Sequence, residues 1–205
     1  MLELKDIENL NPLFDLPKKP CNENVVADIC LVDNLMGRTD LRKYDFDIYL
    51  PAYGCNLQRP YVWELPQQQE FIMSLLLGKP VDKFVFVQHE EKDGTTTNLV
   101  IDGKQRLLTI KKFFADEFPV VCDGKEYYHR DFSKEADNYL QRSLNWLTAT
   151  IYYSCWFDEY TEADLIKLFN YYNFTGTPQT AEHKAHLQSL LAGEEDKNVN
   201  KEKTQ

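Results

Sequence analysis

TTTNLVIDGKQRLLTIKKFF, residues 95–114, changes its period halfway along, and that change decides the fold. Its first part, TTNLVI, reads as a short strand. From Leu107 onward, Leu107, Leu108, Ile110, Phe113 and Phe114 recur at the spacing of one helical face. Ile101-Asp102-Gly103-Lys104-Gln105-Arg106 lies between them, at a strand end and a helix start. Gly103 permits positive φ or close backbone approach, and a helix N-terminus offers unpaired N–H groups.

Upstream, VDKFVFVQ (81–88) reads as a strand joined to TTNLVI through EEKDG, whose Asp93-Gly94 favours a hairpin turn. Before it, Pro66, the apolar positions Phe71, Ile72, Leu75 and Leu76, and then Gly78 and Pro80 delimit a helix. AYGCNLQRPYVWELP (52–66) is expected as a loop. Tyr44, Phe46, Ile48 and Leu50 alternate with Asp45, Asp47 and Tyr49 as in a half-buried strand that Pro51 halts. Val25, Val26, Ile29, Val32, Leu35 and Met36 predict a helix stopped by Gly37.

Downstream, Asp123-Gly124 predicts a second hairpin and Ser133 caps a helix over 134–146. TATIYYSCWF reads as a strand, Thr161 with Asp164 starts a helix in capping-box fashion, and Thr180 caps a last helix, AEHKAHLQSLLAG. Strands in the middle with helices between and at both ends predict an α+β fold around a small mixed sheet. Residues 1–24 read as an extended lead-in, 25–192 as the folded domain and 193–205 as a polar, disordered tail.

A hydrophobic fraction of 43% over 205 residues is enough for one core. The net charge of −10 argues against a broad phosphate-binding face, so any nucleic-acid or nucleotide contact is expected to be local. Five scattered cysteines with no CxxC pair read as reduced thiols, not a disulfide framework or zinc site. With neither a signal-peptide pattern nor a membrane-length apolar run, a cytoplasmic protein is expected.

Three segments could carry chemistry. In DGKQR, Lys104 and Arg106 supply cations for a phosphate chain and Asp102 could hold a metal or orient water; the plain alternative is a tight turn with surface cations. In Gln58-Arg59-Pro60-Tyr61-Val62-Trp63, Arg59 suits bidentate phosphate contact, while Tyr61 and Trp63 are expected to pack as anchors. Asn173 and Gly176, in NFTGTP, either end a helix or touch a ligand. His183 and His186 lack a third metal ligand and read as solvated.

Taken together, QRPYVW, a helix ending LLLGKP, a hairpin, IDGKQRL and LFNYYNFTGTP resemble the GmrSD-type restriction endonuclease amino-terminal family over roughly residues 46–190. Its hallmarks are YQRxYxW, (I/V)DGQQR and F-x-R-(I/L)-N-x-x-G. The resemblance implies a ParB/sulfiredoxin-like fold and a nucleotide-binding, NTP-hydrolysing module of a DNA-restriction or phage-defence system, with nucleoside triphosphate and Mg2+ as cofactors. By resemblance, Asp102, Gln105 and Arg106 are catalytic, with Asp102 on the metal. Gln58, Arg59, Gly103, Lys104, Asn173 and Gly176 then bind nucleotide. Family systems also carry an HNH nuclease, of which these residues show no pattern, so a separate nuclease subunit or DNA is an expected partner. Leu57, Lys104 and Tyr171 depart from the motifs. A ParB-like DNA-binding or nicking protein, and an inactive interaction protein or decoy, are the alternatives.

Overall fold

A computed structural model describes residues 1–3, 5–6, 36, 42–90, 94–154, 161–174 and 189. A four-stranded sheet has the order β1 (Arg42–Asp45), β5 (Thr96–Asp102), β4 (Val81–Glu90), β8 (Thr148–Ser154). β1 runs parallel to β5, β5 antiparallel to β4, and β4 parallel to β8, so the sheet is mixed as expected. Four described helices accompany it: α1 (Leu65–Leu76), α2 (Lys104–Phe114), α3 (Lys134–Leu147) and α4 (Glu162–Phe174).

Side chains on a strand alternate between faces, and β4 uses both. Phe84 and Phe86 enter the larger core with Ile72 and Leu75 of α1, Leu107, Ile110 and Phe113 of α2, and Tyr139, Leu140 and Leu144 of α3. Val85 and Val87 enter a smaller core with Ile101 of β5 and Leu165, Ile166 and Phe169 of α4. A strand covered on both faces reads as a continuous apolar run, which is why FVFV shows no alternation in sequence.

The helix starts follow the sequence cues. Ser133 Oγ accepts from Ala136 N at 3.2 Å, and Thr161 and Asp164 bond reciprocally, Asp164 N to Thr161 Oγ1 at 3.2 Å and Thr161 N to Asp164 Oδ2 at 3.2 Å. The second hairpin joins β6 (Val120–Cys122) to β7 (Lys125–Tyr127) through Asp123 and Gly124, both at positive φ.

Three expectations change. The strand expected over 44–50 is two: β1 ends at Asp45, whose side chain accepts from Asp47 N at 2.9 Å and turns the chain away. The chain resumes as β2 (Tyr49–Leu50), paired with β3 (Cys55–Asn56), so the expected loop opens with a miniature hairpin. Leu2, in the expected lead-in, is 1% exposed in the larger core and bridges Phe132. The helix expected over 25–36, apart from Met36, and the cap at Thr180 lie outside the described residues, as do His183, His186 and residues 193–205.

Candidate functional site

The β4–β5 hairpin is irregular where it matters. Val85 pairs with Asp102 and Phe86 with Val100, so Ile101 is an extra, unopposed residue, a bulge at the last turn of strand before DGKQR. Two side-chain amides converge on its carbonyl. Gln58 Nε2 donates to Ile101 O at 3.2 Å and Asn173 Nδ2 at 3.1 Å; Gln58 Nε2 also donates to Val100 O.

Beyond the bulge, Gly103 takes φ +105 as the N-cap of α2, where a methyl group would collide with the Phe84 ring. A left-handed residue pressed on an aromatic ring leaves only glycine room. No side chain caps this helix, so its first N–H groups remain available.

The motif's side chains are held in separate ways. Arg106 donates to Asp102 Oδ2 at 2.9 Å and to Asp82 O, and lies over the Phe84 ring. Lys104 reaches Asp47 Oδ1 at 2.9 Å. Gln105 Oε1 accepts from Val62 N at 2.8 Å and Trp63 N at 3.3 Å, while its Nε2 donates to Pro60 O at 2.9 Å. The Gln105 amide therefore binds the QRPYVW loop to α2. Among the described residues, Arg59 makes no hydrogen bond or ion pair, and it borders the cleft.

That cleft, about 690 Å³, brings together Gln58, Arg59, Asp102, Gly103, Lys104, Gln105, Arg106 and Asn173. Gly176 lies outside the described residues. Five basic side chains border it, Arg59, Lys79, Lys83, Lys104 and Arg106, against two carboxylates, Asp82 and Asp102. In a chain of net charge −10, this is a local reversal of sign. Burial pushes the Asp102 carboxyl above its usual range, opposed by Arg106 and the Gly103 N–H, and Asp82 adds to the push.

Lys79, Asp82 and Lys83 are absent from the sequence expectation, yet hairpin arithmetic points to them. Once Val85 stands opposite Asp102, the start of β4 must flank the start of α2. Tyr61 is an anchor as expected, its hydroxyl 2.8 Å from Thr109 Oγ1. Trp63 packs edge-on to Phe71, with centroids 5.5 Å apart, and also borders the cleft.

Among the described residues no group of three or more His, Cys, Asp or Glu forms a metal cage. Mg2+ characteristically takes one or two protein carboxylates and completes its shell with water and substrate phosphates. Asp102 and Asp82 fit that pattern.

Residues 40–190 match the family described as GmrSD restriction endonuclease, N-terminal domain. The chain belongs to that family. The match covers the whole sheet and all the described cleft residues of this GmrSD N-terminal domain. No curated protein and no solved structure matches it. No helix among its described residues is long and apolar enough to cross a membrane.

Proposed function

We propose that this GmrSD N-terminal domain binds a nucleoside triphosphate in the cleft and hydrolyses it as a regulatory step in a restriction or phage-defence system. The observation that carries the reading is the cleft's charge, five cations against two carboxylates at the uncapped start of α2. A triphosphate is the abundant small anion that matches several converging cations.

In this reading Arg59 is the free clamp, since it makes no ion pair within the described residues and forks to two phosphate oxygens without breaking a contact. The N–H groups of the first turn of α2 receive a second phosphate. Arg106 is fixed by Asp102, Asp82 and Phe84, and supplies positive charge without having to be ordered on binding. Gln105 is a positioning residue here: both ends of its amide hold the loop that carries Arg59. Asp102 orients the attacking water; Asp102 and Asp82 are the residues that would hold Mg2+, which would supply charge neutralisation for transfer of the terminal phosphoryl group to that water with the nucleoside diphosphate as leaving group.

Isothermal titration with the four ribonucleoside triphosphates and Mg2+, followed by phosphate release, tests this. Binding and turnover that are both lost in Arg59→Ala support it; absence of binding to the wild-type protein overturns it.

A further inference from the structure

The phosphate-binding side chains border only part of the cleft. Opposite in character is the wall formed by Trp63 and by Phe71 and Ser74 of α1, which sit one helical turn apart on the same face. We infer that this wall is the nucleobase subsite, with the base packed against the Trp63 indole. The inference rests on the nucleotide reading above.

Trp63 is fixed from both sides of its backbone. Its N–H goes to Gln105 Oε1 at 3.3 Å, and its carbonyl accepts from Gln68 Nε2 at 2.7 Å. The ring is held edge-on by Phe71, at an interplanar angle of 64°. A pre-ordered, half-buried aromatic ring loses little freedom when a flat ligand covers it. Because the same Gln105 belongs to the first turn of α2, the indole and the phosphate site keep a fixed relation.

Tyr172, the other candidate aromatic at the cleft, is already used. Lys83 Nζ lies 5.2 Å above its ring centroid, and its body packs on the smaller core. Phe71 is 8% exposed and presents too little surface to serve alone. A cleft of about 690 Å³ is also larger than a phosphate chain requires and is of the size that holds a whole small molecule.

The test compares a nucleoside triphosphate with inorganic tripolyphosphate on the full chain. Trp63→Ala is expected to weaken nucleoside triphosphate about tenfold and to leave tripolyphosphate unchanged, because base–aromatic stacking is lost and the phosphate contacts are not. Trp63→Phe retains most of the affinity. Should Trp63→Ala fail to fold, fluorescence decides: nucleotide, and not tripolyphosphate, quenches emission, and the quench disappears in Trp63→Phe. Equal affinity of wild type and Trp63→Ala for nucleotide, or a quench that survives in Trp63→Phe, overturns the subsite while leaving the phosphate site standing. Failure of wild type to bind either compound overturns the nucleotide reading itself, and the subsite with it.

Discussion

Gln58 and Asn173 spend their side-chain amides on one acceptor, the Ile101 carbonyl oxygen, from opposite ends of the folded sequence. Each is a motif residue that a sequence reader would aim at a ligand, yet each first repairs the bulge beside DGKQR. Losing either donor leaves the other in place, so Asn173→Ala should cost about 1 kcal/mol. Losing both orphans a buried carbonyl. The double variant Gln58→Leu/Asn173→Ala should therefore cost about 1 kcal/mol more than the sum of the singles in urea unfolding. Additive costs would mean that the two amides do not share the oxygen.

The two arginines of the cleft should separate binding from stability. Arg59 has no partner among the described residues, so Arg59→Ala should lower tripolyphosphate affinity at least tenfold and change unfolding free energy by less than about 0.5 kcal/mol. Arg106, 12% exposed and paired with Asp102, should cost about 3 kcal/mol on truncation because a largely buried carboxylate is left alone. Titration and urea unfolding on both variants check this; equal stability losses would contradict it.

Gly103→Ala meets two penalties, a left-handed backbone and the Phe84 ring. Together they should lower stability by about 3 kcal/mol. Phe84→Leu added to it should recover only the steric part, leaving the double variant still below Phe84→Leu alone in thermal unfolding. Full recovery would show that φ carries no cost at this position.

Restoring the family's residue with Lys104→Gln probes a cleft cation that is already engaged, by Asp47. Lys104 is the main cause of the lowered Asp47 carboxyl, with Asn56 assisting. A lowered carboxyl stabilises the fold above its ordinary value of 3.8, and this is lost as pH falls through the lowered native value. Lys104→Gln should shrink that acid-side loss slightly, since Asp47 is 72% exposed and solvent screens the pair. An Asp47 carboxyl titration followed by NMR that is identical in the two proteins would contradict the pairing.

The sheet core and the cleft's main residues were legible because local signals agreed with tertiary ones. The period change at Gly103, the antiparallel pairing of β4 with β5 and the caps at Ser133 and Thr161 each bear on neighbours in sequence. What escaped was set mostly by distant contacts: Leu2 docking on Phe132 and Arg106 reaching back to the Asp82 carbonyl depend on pairings that no local window contains. The structural contacts of Gln105 escaped for the same reason: the loop that its amide holds lies more than forty residues earlier in the chain. The Asp45 side chain that bends β1 away is a local contact, to Asp47 N, which the alternation over 44–50 concealed.

Asp102 makes the cleft's anion affinity depend on pH in a direction that can be worked out. Burial raises its carboxyl above the ordinary 3.8, so between that value and the raised native value the folded protein holds a proton that the unfolded chain has released. Stability from this group therefore falls as pH rises through that window, and below it the group contributes no pH dependence. Anion binding follows the same proton: a neutral Asp102 repels no phosphate, whereas the charged form does, and it also competes for Arg106. Sulfate is the probe to use, since its own charge is constant across the carboxylate range. Its affinity should rise several-fold as pH falls through the Asp102 titration, and Asp102→Asn should hold the high, acid-side affinity at neutral pH with the pH dependence flattened. A sulfate profile unchanged by Asp102→Asn would contradict the assignment of this proton to Asp102.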